Sequence, residues 1–166
     1  VDTALRGLER AYNPETRLFC AKLVPTATGV RPVGESFRYS AMAAIGLIVA
    51  RQRDIGDTIL PLNAIRARLE EGAVGGCDPV DLALVLWAEA LDRGEATARI
   101  LRQVEHVYRS LRGWHTSMGL AWFLAAVEHA ARLEGEVGTS ASELAHEMAL
   151  DLLRYPNRHT GLFRVR

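Results

Sequence analysis

Apolar and polar positions along the chain fall into two helical patterns that alternate. In the first, apolar residues recur every three or four positions and form a single stripe: Leu5, Leu8 and Tyr12; Ile59, Leu62, Ile65 and Leu69; Leu101, Val104, Tyr108 and Leu111; Leu144, Met148 and Leu152. That spacing predicts amphipathic helices with one wet side. In the second pattern, over Phe37 to Val49, Val80 to Leu91 and Met118 to Leu133, nearly every position is Leu, Ile, Val, Ala, Met or Trp. A helix without a polar face must be covered all round. In chain order the patterns read outer, inner, outer, inner, outer, inner, outer. Connections as short as Arg53 to Asp57 and Arg93 to Glu95 predict antiparallel hairpins. The expected fold is all-α: antiparallel helical hairpins in two layers, forming a solenoid, an α/α toroid or a partial toroid.

The inner segments share a start signal. Glu35-Ser36, Cys77-Asp78-Pro79 and His115-Thr116 each put a capping side chain directly before an apolar run, and Pro79 takes the first helical position, where its missing N–H costs nothing. Ser36, Asp78 and Thr116 stand 42 and 38 residues apart, the length of one helical hairpin. Parallel inner helices would bring these starts to one rim. A longer repeat joins the two ends of the chain: Tyr12-Asn13-Pro14-Glu15-Thr16-Arg17-Leu18-Phe19 is echoed 143 to 144 residues later by Tyr155-Pro156-Asn157-Arg158-His159-Thr160-Gly161-Leu162-Phe163. After the first copy, Leu18 to Val24, a turn region Pro25 to Gly29, and Val30 to Val33 predict a short β-hairpin or a long ordered loop at the rim. The second copy reaches Arg166 before any returning helix. Residues 1–166 therefore read as a single domain or segment of about three and a half helical hairpins, part of a six-hairpin ring in a longer chain.

Composition narrows the classes. With 49% hydrophobic residues and 20 basic against 20 acidic side chains, the chain can bury a core and is not disordered. No apolar run reaches the roughly 20 residues needed to span a bilayer, and no basic stretch precedes a hydrophobic segment at the N-terminus. The expectation is a cytoplasmic protein without a membrane partner. All basic residues except Lys22 are arginines, interleaved with acids as in Arg66, Arg68, Glu70, Glu71 and Arg99, Arg102, Glu105, Arg109, Arg112. Such mixed runs describe solvated helix faces rather than the net basic surface that nucleic acid requires, so no nucleic-acid partner is expected. Cys20 and Cys77 are too few for a disulfide framework and lack the spacing of a zinc finger.

The alternating helices, the starts at Glu35-Ser36, Asp78-Pro79 and His115-Thr116, and the loops ending Thr16-Arg17-Leu18-Phe19 and Thr160-Gly161-Leu162-Phe163 together resemble the α/α-toroid enzymes. That superfamily includes glycoside hydrolases, sugar epimerases and polysaccharide lyases and, in another branch, terpenoid cyclases and protein prenyltransferases. The segment Asn157 to Phe163 is similar to the rim loops of the carbohydrate-active members. The Asp-rich and Gln…Trp motifs of the cyclase branch are not visible. The resemblance implies a carbohydrate-processing or carbohydrate-binding protein with its site at the rim, formed by the inner-helix N-termini and the loop Asn13 to Gly34. A terpenoid cyclase or prenyltransferase-like enzyme is an alternative, and so is a helical-repeat scaffold whose concave face takes a protein partner or a second copy that closes the ring.

The candidate site follows from the helix starts, whose free N–H groups and positive ends favour polar ligands. Glu35, Asp78, Asp81 and His115 are the candidate catalytic residues. Tyr12, Arg38, Tyr39, Trp114 and Thr116 are the candidate substrate-binding ones. Carboxylates, imidazole, phenol and indole in a concave mouth suit a sugar or another small polar ligand. Glycoside hydrolysis needs two carboxylates about 5 to 9.5 Å apart, and Glu35 with Asp78 or Asp81 is the available pair. His115 titrates near neutrality and suits general acid–base work. Glu35, Cys77 and His115 occupy equivalent positions and could hold zinc. Three helices in a row spaced about 8 to 10 Å apart do not converge on one ion, however, so neither metal nor cofactor is expected. Glu143 and His146 have half the spacing of a di-iron site, without its second half. Glu105-His106 and Glu128-His129 read as surface pairs, Trp87, Trp122 and Phe123 as core, and Cys20 as an exposed loop thiol.

Overall fold

The computed structural model describes residues 2–56, 59–111 and 116–154, without the side chain of Asp2. The chain divides into two compact units, Val1–Gly76 and a second beginning at Cys77. Among the described residues it is mostly helical, with seven helices and two small antiparallel β-hairpins. No helix of these residues is long and apolar enough to cross a membrane.

The first unit holds α1 (Asp2–Ala11), β1 (Tyr12–Asn13), β2 (Leu18–Phe19), β3 (Lys22–Thr26), β4 (Gly29–Val33), α2 (Phe37–Gln52) and α3 (Leu62–Val74). Helix α2 is the first all-apolar segment. It buries Ser40, Ala41, Ala44, Leu47 and Ile48 and packs on α3, whose stripe Ile65, Leu69 and Ala73 is buried in turn. The Phe37 ring lies so close to Gly72 that a Cβ there would overlap it. Two of the expected stripes are shorter than their spacing suggests. Pro61 precedes the first turn of α3 and cannot continue the pattern backwards, which leaves Ile59 87% exposed outside the helix. Tyr12 leaves the stripe of α1 to pair with Phe19 across β1–β2, ring centroid to ring centroid at 5.5 Å.

A β-hairpin forms as expected, β3–β4, in register from Thr26↔Gly29 to Lys22↔Val33, but it is shorter than the sequence suggests: Leu18 and Phe19 pair with β1 instead, and Pro25 and Thr26 belong to the strand rather than the turn. Counted outward from the two-residue turn, Pro25↔Val30 and Leu23↔Pro32 fall at pairs that exchange no ladder bonds. Both prolines thus sit where an N–H would face away from the hairpin, and they remove a donor from each outer edge. Strand alternation places Leu23, Pro25, Val30 and Pro32 on one face and Lys22 and Arg31 on the other.

The second unit holds α4 (Pro79–Leu91), α5 (Thr97–Ser110), α6 (Ser117–Ala130) and α7 (Glu136–Leu152). Helix α4 packs against α5 and α6, α6 against α7, and α7 against α5. Val80 approaches Gly119 near the helix starts, and the Trp87 and His129 rings meet at 5.0 Å near the helix ends. These two contacts have nearly the same sequence offset, so α4 and α6 run parallel with their N-termini side by side. In the other layer the Tyr108 hydroxyl donates to Asp151 Oδ2 at 2.5 Å, and Arg109 pairs with Glu147 at 3.0 Å. The unit is therefore two helical hairpins, α4–α5 and α6–α7, stacked with α4 and α6 in one layer and α5 and α7 in the other. The layers follow the two sequence patterns: α4 buries nine residues from Asp81 to Ala90, whereas α5 buries the stripe Ile100, Leu101, Val104 and Tyr108.

The α6–α7 turn depends on glycine. Gly135 has φ 78° and ψ −155°, a conformation that strains any residue with a Cβ. Gly138 is buried beneath the Leu133 carbonyl, where an added Cβ would overlap a backbone oxygen. In Gly138→Ala, the helix-propensity gain of about 1 kcal/mol is outweighed by the shift forced on the turn. A net loss of about 1–3 kcal/mol is expected, read as a lowered melting temperature. Tyr108 is fully buried, and Arg154 Nη1 donates to Asp151 Oδ1 at 2.7 Å beside it. Tyr108→Phe takes the hydroxyl donor from a buried carboxylate and should cost about 1–3 kcal/mol, seen as a lower urea midpoint at unchanged m.

Candidate functional site

A cleft of about 640 Å³ opens in the first unit between the two hairpins, lined by Tyr12, Asn13, Pro14, Cys20, Pro32, Gly34 and Glu35. Its geometry is built from the β1–β2 turn. The Asn13 side chain accepts from the Glu15 amide at 2.9 Å, an Asx turn that suits Asn before Pro. Arg17, at φ 59°, donates its amide to the Asn13 carbonyl at 2.8 Å. Its guanidinium Nη2 donates to both carboxylate oxygens of Glu71 at 3.0 and 2.9 Å, which ties the turn to α3. With its other faces committed, the Asn13 amide Nδ2 donates across the cleft to Glu35 Oε1 at 3.4 Å.

Glu35 is held from the opposite side by the start of α2. The Ser36 amide donates to the Phe19 carbonyl at 3.0 Å, the Phe19 amide donates to Ser40 Oγ at 2.8 Å, and Ser40 Oγ donates to the Ser36 carbonyl at 2.7 Å. Ser36 Oγ caps α2 by accepting from the Tyr39 amide at 3.1 Å. This buried ladder fixes β2 to the first turn of α2 and sets the exposed Glu35 at the cleft wall. Tyr12 and Glu35 are thus brought together. Arg38 and Tyr39 occupy the first turn of α2 and do not line the cleft. Cys20, expected as an exposed thiol, is 8% exposed, because its amide is bonded to the Ala11 carbonyl at 2.8 Å and β2 carries it inward.

Asp78, Asp81 and Thr116 gather in the second unit. Asp78 Oδ1 accepts from the Val80 amide at 2.9 Å and Thr116 Oγ1 from the Gly119 amide at 3.0 Å, so both are caps at the shared end of α4 and α6. Asp81, one turn in, is 8% exposed. Cys77 adjoins them. Burial, then the charge of Asp81 and to a lesser degree that of Asp78, push its thiol up to about 11. A thiol so disfavoured as thiolate is a poor nucleophile. Trp114 and His115, together with the second loop copy Tyr155 to Phe163, lie outside the described residues.

No group of three His, Cys, Asp or Glu among the described residues is arranged to hold a metal ion. His129 departs from its expected surface position with Glu128. It is half-buried against Trp87, and one ring nitrogen lies 2.9 Å from the Ala125 carbonyl. Asn13 and Pro32 belong to the loop that the sequence places at the site, but the sequence marks neither one individually as a wall residue. The Asn-Pro dipeptide marks a turn, but nothing local indicates that its amide reaches Glu35, twenty-two positions on.

Cys77 offers a direct check on the field at the α4 start. Alkylation by iodoacetamide, followed by mass spectrometry of the native protein, should be slow at pH 8 and accelerate toward pH 11. In Asp81→Asn the loss of a nearby negative charge lowers the thiol pKa and should speed labelling at pH 9. Comparison of the chain with family models, curated proteins and solved structures finds no match.

Proposed function

We propose that this chain adopts an α/α-toroid or partial-toroid fold and binds or processes carbohydrate, with a sugar-binding cleft between the two hairpins of the first unit. The toroid reading is supported by the second unit, where parallel apolar helices form one layer and striped helices the other. It is supported again in the first unit by a hairpin pair leading into the capped start of α2. The observation that carries the ligand reading is the pairing of Asn13 with Glu35 inside a cleft that also presents Tyr12. A carboxylate and an amide side by side take both lone pairs and protons of sugar hydroxyls, and an aromatic residue with flanking prolines supplies apolar surface for ring carbons. Glu35 is the carboxylate of this cleft on which hydrolytic chemistry would draw.

A protein-binding scaffold is the second reading. It is favoured by the apolar face of β3–β4, where Leu23, Pro25, Val30 and Pro32 are all exposed.

Titration calorimetry with neutral and amino-substituted tetrasaccharides tests the first reading. Binding is expected in the wild-type protein, with a loss of about tenfold or more in Glu35→Gln and Asn13→Ala, equivalent to removing one or two hydrogen bonds to a polar ligand. Circular dichroism should show both variants folded. Absence of binding to every sugar, together with a protein that copurifies through the β3–β4 face, would replace this reading with the scaffold.

A further inference from the structure

The charge of the cleft points to the class of sugar. Among the described residues that line it, Glu35 is the one with a formal charge. Its Oε1 receives the Asn13 amide at 3.4 Å, and no described residue donates to Oε2. Of the cations near it in sequence, Arg38 on the first turn of α2 does not line the cleft, and three others are placed away from it. Lys22 and Arg31 stand on the face of β3–β4 opposite Pro32, and the Arg17 guanidinium is engaged by Glu71. The positive end of α2 lies beside Glu35, but a helix end carries about half an elementary charge against the full charge of the carboxylate, and Ser36 already accepts one of its amides. Tyr12 adds a ring whose face attracts cations and repels anions.

Resting on the reading that this cleft holds a sugar, we propose that it selects sugars bearing an ammonium group over neutral ones and rejects those bearing a carboxylate, with Glu35 as the specificity-determining residue. An ammonium donates three N–H bonds and brings the countercharge that Oε2 lacks. A uronate would set a second carboxylate against the first in a cleft with no cation among its described lining residues. Neutral sugars fall between, since their hydroxyls can donate to Oε2 without neutralising it.

The test compares three tetrasaccharides by calorimetry at low ionic strength and mildly acidic pH, where the amino sugar holds its proton: a glucosamine oligomer, a cello-oligomer and a galacturonate oligomer. The expected order is glucosamine ahead of glucose by about tenfold, with galacturonate weakest. In Glu35→Gln the glucosamine preference should shrink to within about twofold, and galacturonate should gain. Asn13→Ala, which retains the charge, should weaken binding yet keep the order. Equal affinities for all three in the wild-type protein, or an unchanged order in Glu35→Gln, would overturn the selectivity while leaving the cleft a sugar site. No binding of any of the three would overturn both.

Discussion

Helix α4 has no polar side, and the arrangement of the second unit follows from that constraint. Leu82, Leu84, Val85 and Leu86 point in different directions around the axis, yet all are buried, so neighbours must approach from more than one side. Helix α5 returns antiparallel along one flank and α6 runs parallel along the other. Small residues set the distances: Ala83, Ala88 and Ala90 on α4 and Gly119 on α6 let the helices approach, as the contact between Gly119 and Val80 shows. The parallel run of α4 and α6 then carries Asp78 and Thr116 to the same end. Two caps that each serve only their own helix become neighbours because apolar surface elsewhere on those helices had to be covered.

The first unit solves a different problem. A two-stranded hairpin buries little on its own, and β1–β2 is held by polar bonds at both ends instead. At one end the Arg17 guanidinium reaches Glu71 on α3. At the other, the ladder through Phe19, Ser36 and Ser40 anchors β2 to α2, with Ser40 fully buried. Asn13 lies between these anchors and spends its carbonyl, its side-chain oxygen and its amide on three different partners. The cleft wall is therefore fixed by long-range hydrogen bonds, while β3–β4 extends past it with prolines blunting both edges.

Much of the helical plan was legible in the chain. Continuous apolar runs separate the covered helices from the striped ones, capping residues before Phe37, Pro79 and Ser117 mark their starts, and the recurrence of those starts anticipates stacked hairpins. The departures each have a local cause. Pro61 cuts short a stripe that would have included Ile59, and Tyr12 is taken from α1 by its pairing with Phe19. Cys20 follows β2 inward, and His129 turns from its expected exposed face to stack on Trp87. In each case the apolar spacing was compatible with two outcomes, and a proline or a partner distant in sequence chose between them.

Of the cleft, the sequence alone pointed to Tyr12 and Glu35 and to the loop from Asn13 to Gly34. The amide-to-carboxylate pairing, the burial of Cys20 and the commitment of Arg17 to Glu71 became visible only in the folded chain. Helical periodicity, capping and turn chemistry are set by residues within four positions of one another, and such relations are written directly in the sequence. Which side chain faces a cleft, which cation is already engaged and which thiol is covered are set by partners 9 to 54 positions away. Those relations exist only once apolar helices have been packed and hairpins tied to them.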